Sequence, residues 1–301
     1  MIKTIIFGCQ KITLDIIDYL IGEKRVKILK LYTYELPADY ARTKLSLVNE
    51  AKNRNIEVVN TKNFSQNDID NISLLSPDVI ISSYYRKLLP KEIFSKAKIS
   101  MNIHPSYLPY YRGPVPTAWA ILNGENKFGV SIHEIDNGID TGNIFIQKLY
   151  NIKPLETGYE LYSRAMEKGF QLFKNNFFKI VEGEIKSKKQ KDGGSYYGIL
   201  KDEVMINWAD TKENIVNKVR VRARPYNPMQ TCLYSKYLII NKIIPYKKKL
   251  LIQKPGYILK VLGKNKLLVS VANGAVIVDE YEFFPSLSQH EEKIYIKAGN
   301  F

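Results

Sequence analysis

Cysteine is scarce in this chain: 301 residues contain only Cys9 and Cys232. So wide a separation offers neither a disulfide framework nor a cysteine zinc site, and both read as small buried hydrophobes. No apolar run nears the roughly 20 residues of a membrane helix. The opening MIKTIIFG passes straight into a strand pattern with no signal-peptide order, so a cytoplasmic protein without membrane contact is expected. Glycine is short where a dinucleotide site needs it: one glycine in Gly8-Cys9-Gln10, instead of three, excludes a nicotinamide fingerprint. A serine elbow, a cysteine near a histidine and HExxH are all missing. Direct transfer to an external nucleophile is therefore preferred over a covalent enzyme intermediate.

Acidic residues are also in deficit, 30 against 45 basic ones, for a net charge of +15. The imbalance is uneven: 24 basic against 19 acidic residues over 1–182, and 21 against 11 over 183–301. An excess of that size on the smaller module invites a polyanion such as tRNA, a nucleotide diphosphate or an anionic surface. A lysine-rich composition in which solvated faces default to Lys explains it equally well.

What is present has the makings of two domains. The length suffices for one large core and a second module, and 45% hydrophobic residues with 12% aromatics fit a folded protein. Residues 3–7 read as a buried strand, 12–21 as a helix (Ile12, Ile16, Ile17, Leu20, Ile21) and 26–33 as the next strand. The alternation continues through a helix at 45–53, a strand at 56–59, a helix at 67–75 and a central strand at 77–83. After the segment 84–90, Pro90 opens a helix running to Lys98. Strands alternating with helices predict a Rossmann-like, mostly parallel α/β sheet with helices on both faces. A short helix at 117–122 precedes two alternating strands at 129–135 and 144–150, and an amphipathic helix spans 156–180. His133 reads as a satisfied or half-exposed strand residue. Residues 1–185 make the catalytic domain, and the polar, glycine-containing run at 186–203 reads as a linker. Residues 204–301 hold a short helix at 214–222, the motif Arg224-Pro225-Tyr226-Asn227-Pro228 and about five short strands with turns at Gly263-Lys264-Asn265 and Asn273-Gly274. That pattern suggests a small all-β barrel of the OB type. His290 sits near the end and needs no role.

The chemistry concentrates in two stretches, residues 101–113 (MNIHPSYLPYYRG) and 136–142 (DNGIDTG). Side chains on a strand alternate, so Asn102 and His104 share a face of the strand 99–103, and Pro105 ends it. Such a strand end is where open α/β sheets bind ligands. Taken alone, the pair also fits a hydrogen-bonded core histidine and a turn-forming Asn. Asp140, with Gly138 and Gly142 beside it, supplies a carboxylate on a backbone able to turn sharply. An imidazole that takes a proton, a carboxylate that orients it and an amide that donates to an oxyanion equip a site for acyl transfer.

Asn102-x-His104 followed by SYLPYYRGPVP, with GVSIHEIDNGIDTG and SPDVIISSYYRKLLP, resembles the formyltransferases that use N10-formyltetrahydrofolate. That family includes methionyl-tRNA formyltransferase, the sugar N-formyltransferases and the formyltransferase domain of the bifunctional UDP-4-amino-4-deoxyarabinose enzyme. The resemblance runs nearly the whole length. It implies His104 as general base, Asn102 as the holder of the formyl oxygen and Asp140 as the partner that tunes His104. It implies a pterin cradle from Arg86, Lys87 and Leu88 with Asp136, Asn137 and Gly138. Ser106, Tyr111, Arg112 and Gly113 would face a nucleotide-sugar, Arg112 by a bidentate phosphate contact, unless Tyr111 and Arg112 only pack the loop. No metal is implied.

Two acceptors remain in view. A nucleotide-linked amino sugar, with dTDP-4-amino-4,6-dideoxyglucose first and UDP-4-amino-4-deoxyarabinose next, would serve lipopolysaccharide synthesis. Initiator tRNA is the alternative, favoured by the basic charge of 183–301 and disfavoured by the short, nearly neutral first loop at 34–44. A homodimer is compatible with either.

Overall fold

The structure is a computed structural model. It describes residues 1–34, 46–61, 63–248, 250, 254–263, 266–288, 291–293 and 296. The short first loop beyond Tyr34, the Lys264-Asn265 turn and His290 lie outside them. The chain divides into two compact units, one of Met1–Thr117, Lys127–Asn151 and Tyr162–Ile199, the other of Ala118–Asn126, Ile152–Leu161 and Leu200–Phe301.

The first unit is built on a seven-stranded sheet. Its strands are β1 (Ile2–Gly8), β2 (Val26–Thr33), β3 (Val58–Asn60), β4 (Val79–Ser83), β5 (Ile99–His104), β6 (Lys127–Glu134) and β7 (Ile144–Asn151), in spatial order β3-β2-β1-β4-β5-β6-β7. The first five pair in parallel, while β6 and β7 join antiparallel. Parallel strands need crossovers, and the helices between them supply these: α1 (Lys11–Ile21), α2 (Leu47–Lys52), α3 (Gln66–Leu75) and α4 (Lys91–Phe94). The mostly parallel α/β reading therefore holds. The chain leaves β1 toward β2 on one side and returns to β4 on the other, a switch point that opens a crevice at the strand ends.

Strand β4 is buried at every residue, as a central parallel strand must be. Phe7 stacks on Tyr32 at 4.8 Å, and Tyr85 meets Phe7 edge-on at 5.6 Å. Helix α3 begins with a reciprocal capping box between Ser65 and Asp68. Helix α4 is shorter than the expected run from Pro90 to Lys98. The Ser100 hydroxyl donates to the Phe94 carbonyl at 2.6 Å and ends it, with Pro90 just outside. Two further helices are α5 (Pro116–Leu122) and α6 (Gly158–Val181).

One expectation is corrected. Residues 186–199 cluster with the first unit. Lys188 exchanges two backbone hydrogen bonds with Ile144, at 2.8 and 2.9 Å, and Gln190 is 7% exposed. Charge and glycine gave this stretch the composition of a linker, but its backbone bonds are spent on the first unit.

The second unit carries α7 (Lys212–Arg222) and strands β8 (Met229–Leu233), β9 (Lys236–Pro245), β10 (Ile258–Gly263), β11 (Lys266–Val271) and β12 (Gly274–Phe284). These are the five expected strands, antiparallel, in the order β10-β11-β12-β9-β8. Ile215 and Val219 of α7 pack with Leu238, Ile240, Val269 and Val278 in one core. The buried Trp208 donates its indole N–H to Thr231 at 3.0 Å, which satisfies a polar atom that burial would otherwise penalise. Cys9 is buried as expected, but Cys232 is exposed, because strand alternation sends it opposite to the buried Thr231 and Leu233.

Candidate active site

Strand β5 brings Asn102 and His104 to one face at its carboxyl end. Strand β6 lies antiparallel beside it, with His133 opposite Asn102 and Ser131 opposite His104. The loop after β6 returns with Asp140, whose φ of 54° is left-handed. Together these segments hold a tight cluster. His104 Nδ1 lies 3.5 Å from Asp140 Oδ1, and the Asn102 amide nitrogen lies 3.4 Å from the same oxygen. The expected three residues therefore meet within hydrogen-bonding reach.

A fourth residue joins them. His133 is 3% exposed; its Nε2 lies 3.1 Å from the Asn102 amide nitrogen and 3.6 Å from Asp140 Oδ1. Its Nδ1 lies 2.7 Å from the Glu134 carbonyl, an acceptor only, so Nδ1 carries the proton and Nε2 accepts from Asn102. The satisfied reading of His133 stands, but the half-exposed one does not, and its partners are the chemical groups themselves. Period two in GVSIHEI places Ser131 and His133 on one face; only the β5–β6 register puts that face against Asn102 and His104.

Two acceptors face the His104 ring, since Nε2 also lies 3.0 Å from the Tyr111 carbonyl. A neutral imidazole carries one N–H and can satisfy only one of them. Burial pushes the His104 pKa below the ordinary value of about 6.5, and Asp140 and the Tyr111 carbonyl pull it back only in part. Burial pushes Asp140 the other way, but His104 and the Gly113 N–H, at 2.9 Å from Oδ2, outweigh it and hold its carboxyl far below the usual range. At neutral pH the pair is an imidazole beside a carboxylate. Because the shift of His104 is downward, the acid limb of kcat/KM is expected below pH about 6.5, with a level profile across pH 7 to 8. A rate still climbing above pH 7 would contradict it.

The expected folate-binding residues line two turns. Arg86, Lys87 and Leu88 are exposed between buried Tyr85 and Leu89, just past β4. Asp136 accepts from the Gly138 N–H at 3.1 Å and from the Thr141 hydroxyl at 2.7 Å, so its carboxylate shapes its own loop, while Asn137 is exposed. Buried polar atoms of Gln10 (Nε2), Ser83 (Oγ) and Tyr84 (Oη) lack hydrogen-bond partners at the carboxyl ends of β1 and β4. Buried polar groups are rarely left so in a finished site, and these fit a polar ligand in the switch-point crevice.

The four residues expected to face a nucleotide-sugar also make contacts within the protein. Ser106 is 3% exposed and donates to the Tyr110 carbonyl at 2.8 Å. Tyr111 aims its carbonyl at His104 and stacks its ring on Tyr197 at 5.2 Å. Arg112 donates to Gln190 at 2.7 Å, and Gly113 spends its N–H on Asp140. At φ 106°, a Cβ on Gly113 would stand 2.2 Å from the Tyr197 carbonyl. Tyr111 and Gly113 thereby contact His104 and Asp140 directly, and Arg112 reaches Asp140 through Gln190.

Comparison with known proteins shows the family. Residues 32–176 match the formyl transferase family model and residues 198–284 the formyl transferase C-terminal domain. The methionyl-tRNA formyltransferase of Clostridium tetani is 30% identical over 99% of this chain and 97% of its own length. The bifunctional polymyxin resistance protein ArnA of Wigglesworthia glossinidia brevipalpis is 32% identical over 67% of this chain and 31% of its length. Among solved structures, an N-formyltransferase from Helicobacter canadensis, in complex with folinic acid and dTDP-3-aminofucose, superposes with a TM-score of 0.72. It is 25% identical and covers 93% of this chain and all of its own. The sugar 3N-formyltransferase WlaRD gives 0.71 at 25% identity, over 93% of this chain and 98% of its own. With both family domains matched in order and Asn102, His104 and Asp140 gathered at one strand end, this chain belongs to the formyltransferase family and is an enzyme.

Proposed function

We propose that the enzyme moves a formyl group from N10-formyltetrahydrofolate to the amine of a nucleotide-linked amino sugar, dTDP-4-amino-4,6-dideoxyglucose by preference. The observation that carries the reading is the buried His104 ring held between two oxygen acceptors beside the Asn102 amide. The folate co-substrate supplies an activated one-carbon unit at the formyl level. As the acceptor amine bonds to the formyl carbon, His104 takes the amine proton on its bare ring nitrogen. The resulting imidazolium donates to both Asp140 and the Tyr111 carbonyl, so protonation completes its hydrogen bonding. Asn102 turns an N–H from its long 3.4 Å contact with Asp140 to the oxygen on which negative charge gathers. The carbon–nitrogen bond to the folate then breaks, its nitrogen takes the proton held by His104, which returns the base to its neutral form, and a formamide and tetrahydrofolate leave. The turns at 86–88 and 136–138 would hold the pterin.

The sugar acceptor draws support from two structural relatives that each match 93% of this chain, one in complex with dTDP-3-aminofucose and one in the presence of dTDP. Among the described residues, no helix is long and apolar enough to cross a membrane. Initiator tRNA is the second reading, favoured by the sequence relatives and by the basic charge of residues 183–301. A panel of dTDP- and UDP-amino sugars and charged initiator tRNA, offered with N10-formyltetrahydrofolate, separates the two. Tetrahydrofolate release is expected with a dTDP-4-amino sugar; turnover of tRNA alone overturns the choice.

A further inference from the structure

We propose that residues 188–197 are the positioning element of the general base, acting chiefly through Gln190; this rests on His104 being that base. Both oxygens that face the His104 ring belong to residues with left-handed backbones, Tyr111 at φ 59° and Asp140 at φ 54°. A non-glycine residue in that region costs about 1 kcal/mol or more and persists where surrounding contacts over-determine it. Here one short segment contacts the backbone of both loops. Gln190 Nε2 donates to the Asp140 carbonyl at 2.9 Å and to the Gly142 carbonyl at 2.8 Å, while its Oε1 accepts from Arg112 at 2.7 Å. Its buried amide thus ties the Asp140 turn to the loop that carries Tyr111.

The other acceptor is held from the same segment. The Ser195 hydroxyl accepts from the Tyr111 N–H at 2.9 Å, and its carbonyl accepts from the Arg112 N–H at 2.9 Å. Tyr197 donates its N–H to the Arg112 carbonyl at 3.0 Å and stacks its ring on Tyr111. No atom of Gln190 or Ser195 reaches His104 in these contacts. They act through Asp140 and Tyr111, whose placement sets how well the ring holds a second proton. The titratable groups facing His104 are Asp140 and His133, and Arg112 joins the cluster through Gln190.

With only three histidines in the chain, ring-nitrogen NMR of the intact protein follows His104 directly, assigned with His104→Ala and His133→Ala. Gln190→Met keeps the side-chain size and removes all three hydrogen bonds. It is expected to lower kcat about 10- to 100-fold while leaving KM for folate and acceptor within about threefold, the pattern of a misplaced catalytic group. With Asp140 less well placed, the His104 titration should move to lower pH by about half a unit. Ser195→Ala should act in the same direction and Ser195→Thr, which keeps the accepting oxygen, should restore both readouts. This pair decides the matter if Gln190→Met does not fold. A Gln190→Met protein with normal kcat and normal His104 titration overturns the positioning role. So does a loss of kcat with His104 titrating as before and no difference between Ser195→Ala and Ser195→Thr. His104→Ala at full turnover overturns the base assignment instead.

Discussion

His104→Ala lowers kcat by about 10² or more, and Asp140→Ala does the same, the range expected for a general base and the group that orients it. The physical reason is that neither works alone. His104 is 5% exposed and burial disfavours its charged form, so on the proposed mechanism it can hold the amine proton only with Asp140 and the Tyr111 carbonyl facing both ring nitrogens. Remove Asp140 and one acceptor and the compensating charge vanish together. The double variant should consequently be little worse than either single one, since residues acting as a unit are strongly non-additive. Single-turnover rates of formyl transfer measure it. Losses below about threefold, or losses that multiply in the double variant, would remove the pair from the mechanism.

Gly142→Ala is expected to destabilise the protein by about 2 kcal/mol or more and to cripple turnover as well. Gly142 is buried, and a Cβ there would stand 1.9 Å from the Glu134 carbonyl oxygen and 2.7 Å from its carbon. Those atoms are backbone of a strand whose Glu134 N–H already donates to Asn143 at 2.8 Å, so they cannot swing aside as a flexible side chain can. Relief must come from moving the 136–142 loop, which carries Asp140, and from pulling the Gly142 carbonyl off Gln190. Chemical denaturation with a parallel activity assay tests both halves. Gly198→Ala, where a Cβ meets nothing within 4 Å, is the control, and its stability should change by less than about 0.5 kcal/mol. Equal stability of the two variants would show that the close approach at Gly142 is readily relieved.

Much of the site was legible before any coordinates. Period-two alternation alone puts Asn102 and His104 on one face, and Pro105 alone ends their strand, so an amide and an imidazole at a strand end follow from local rules. The glycines around Asp140 foretell a sharp turn with a carboxylate on it. His133 shows the limit. Its strand follows from the alternation in GVSIHEI, yet that it lies against Asn102 depends on the antiparallel register between β5 and β6, a pairing across thirty-one residues of chain. Local pattern carries no information on such a register.

The amino-acid sequence by itself determined the mostly parallel sheet, the antiparallel strands that follow it and the shared face of Asn102 and His104, because each rests on periodicities and backbone restrictions that act within a few residues. Tertiary structure alone decided what surrounds them. Residues 188–197 have the charge and glycine of a solvated connector, and composition reports only that average tendency. Three hydrogen bonds from one buried glutamine override it. For the same reason Ser106, Arg112 and Gly113, near the site by sequence, donate to Tyr110, Gln190 and Asp140: where a donor points is set by which acceptor the fold carries to it.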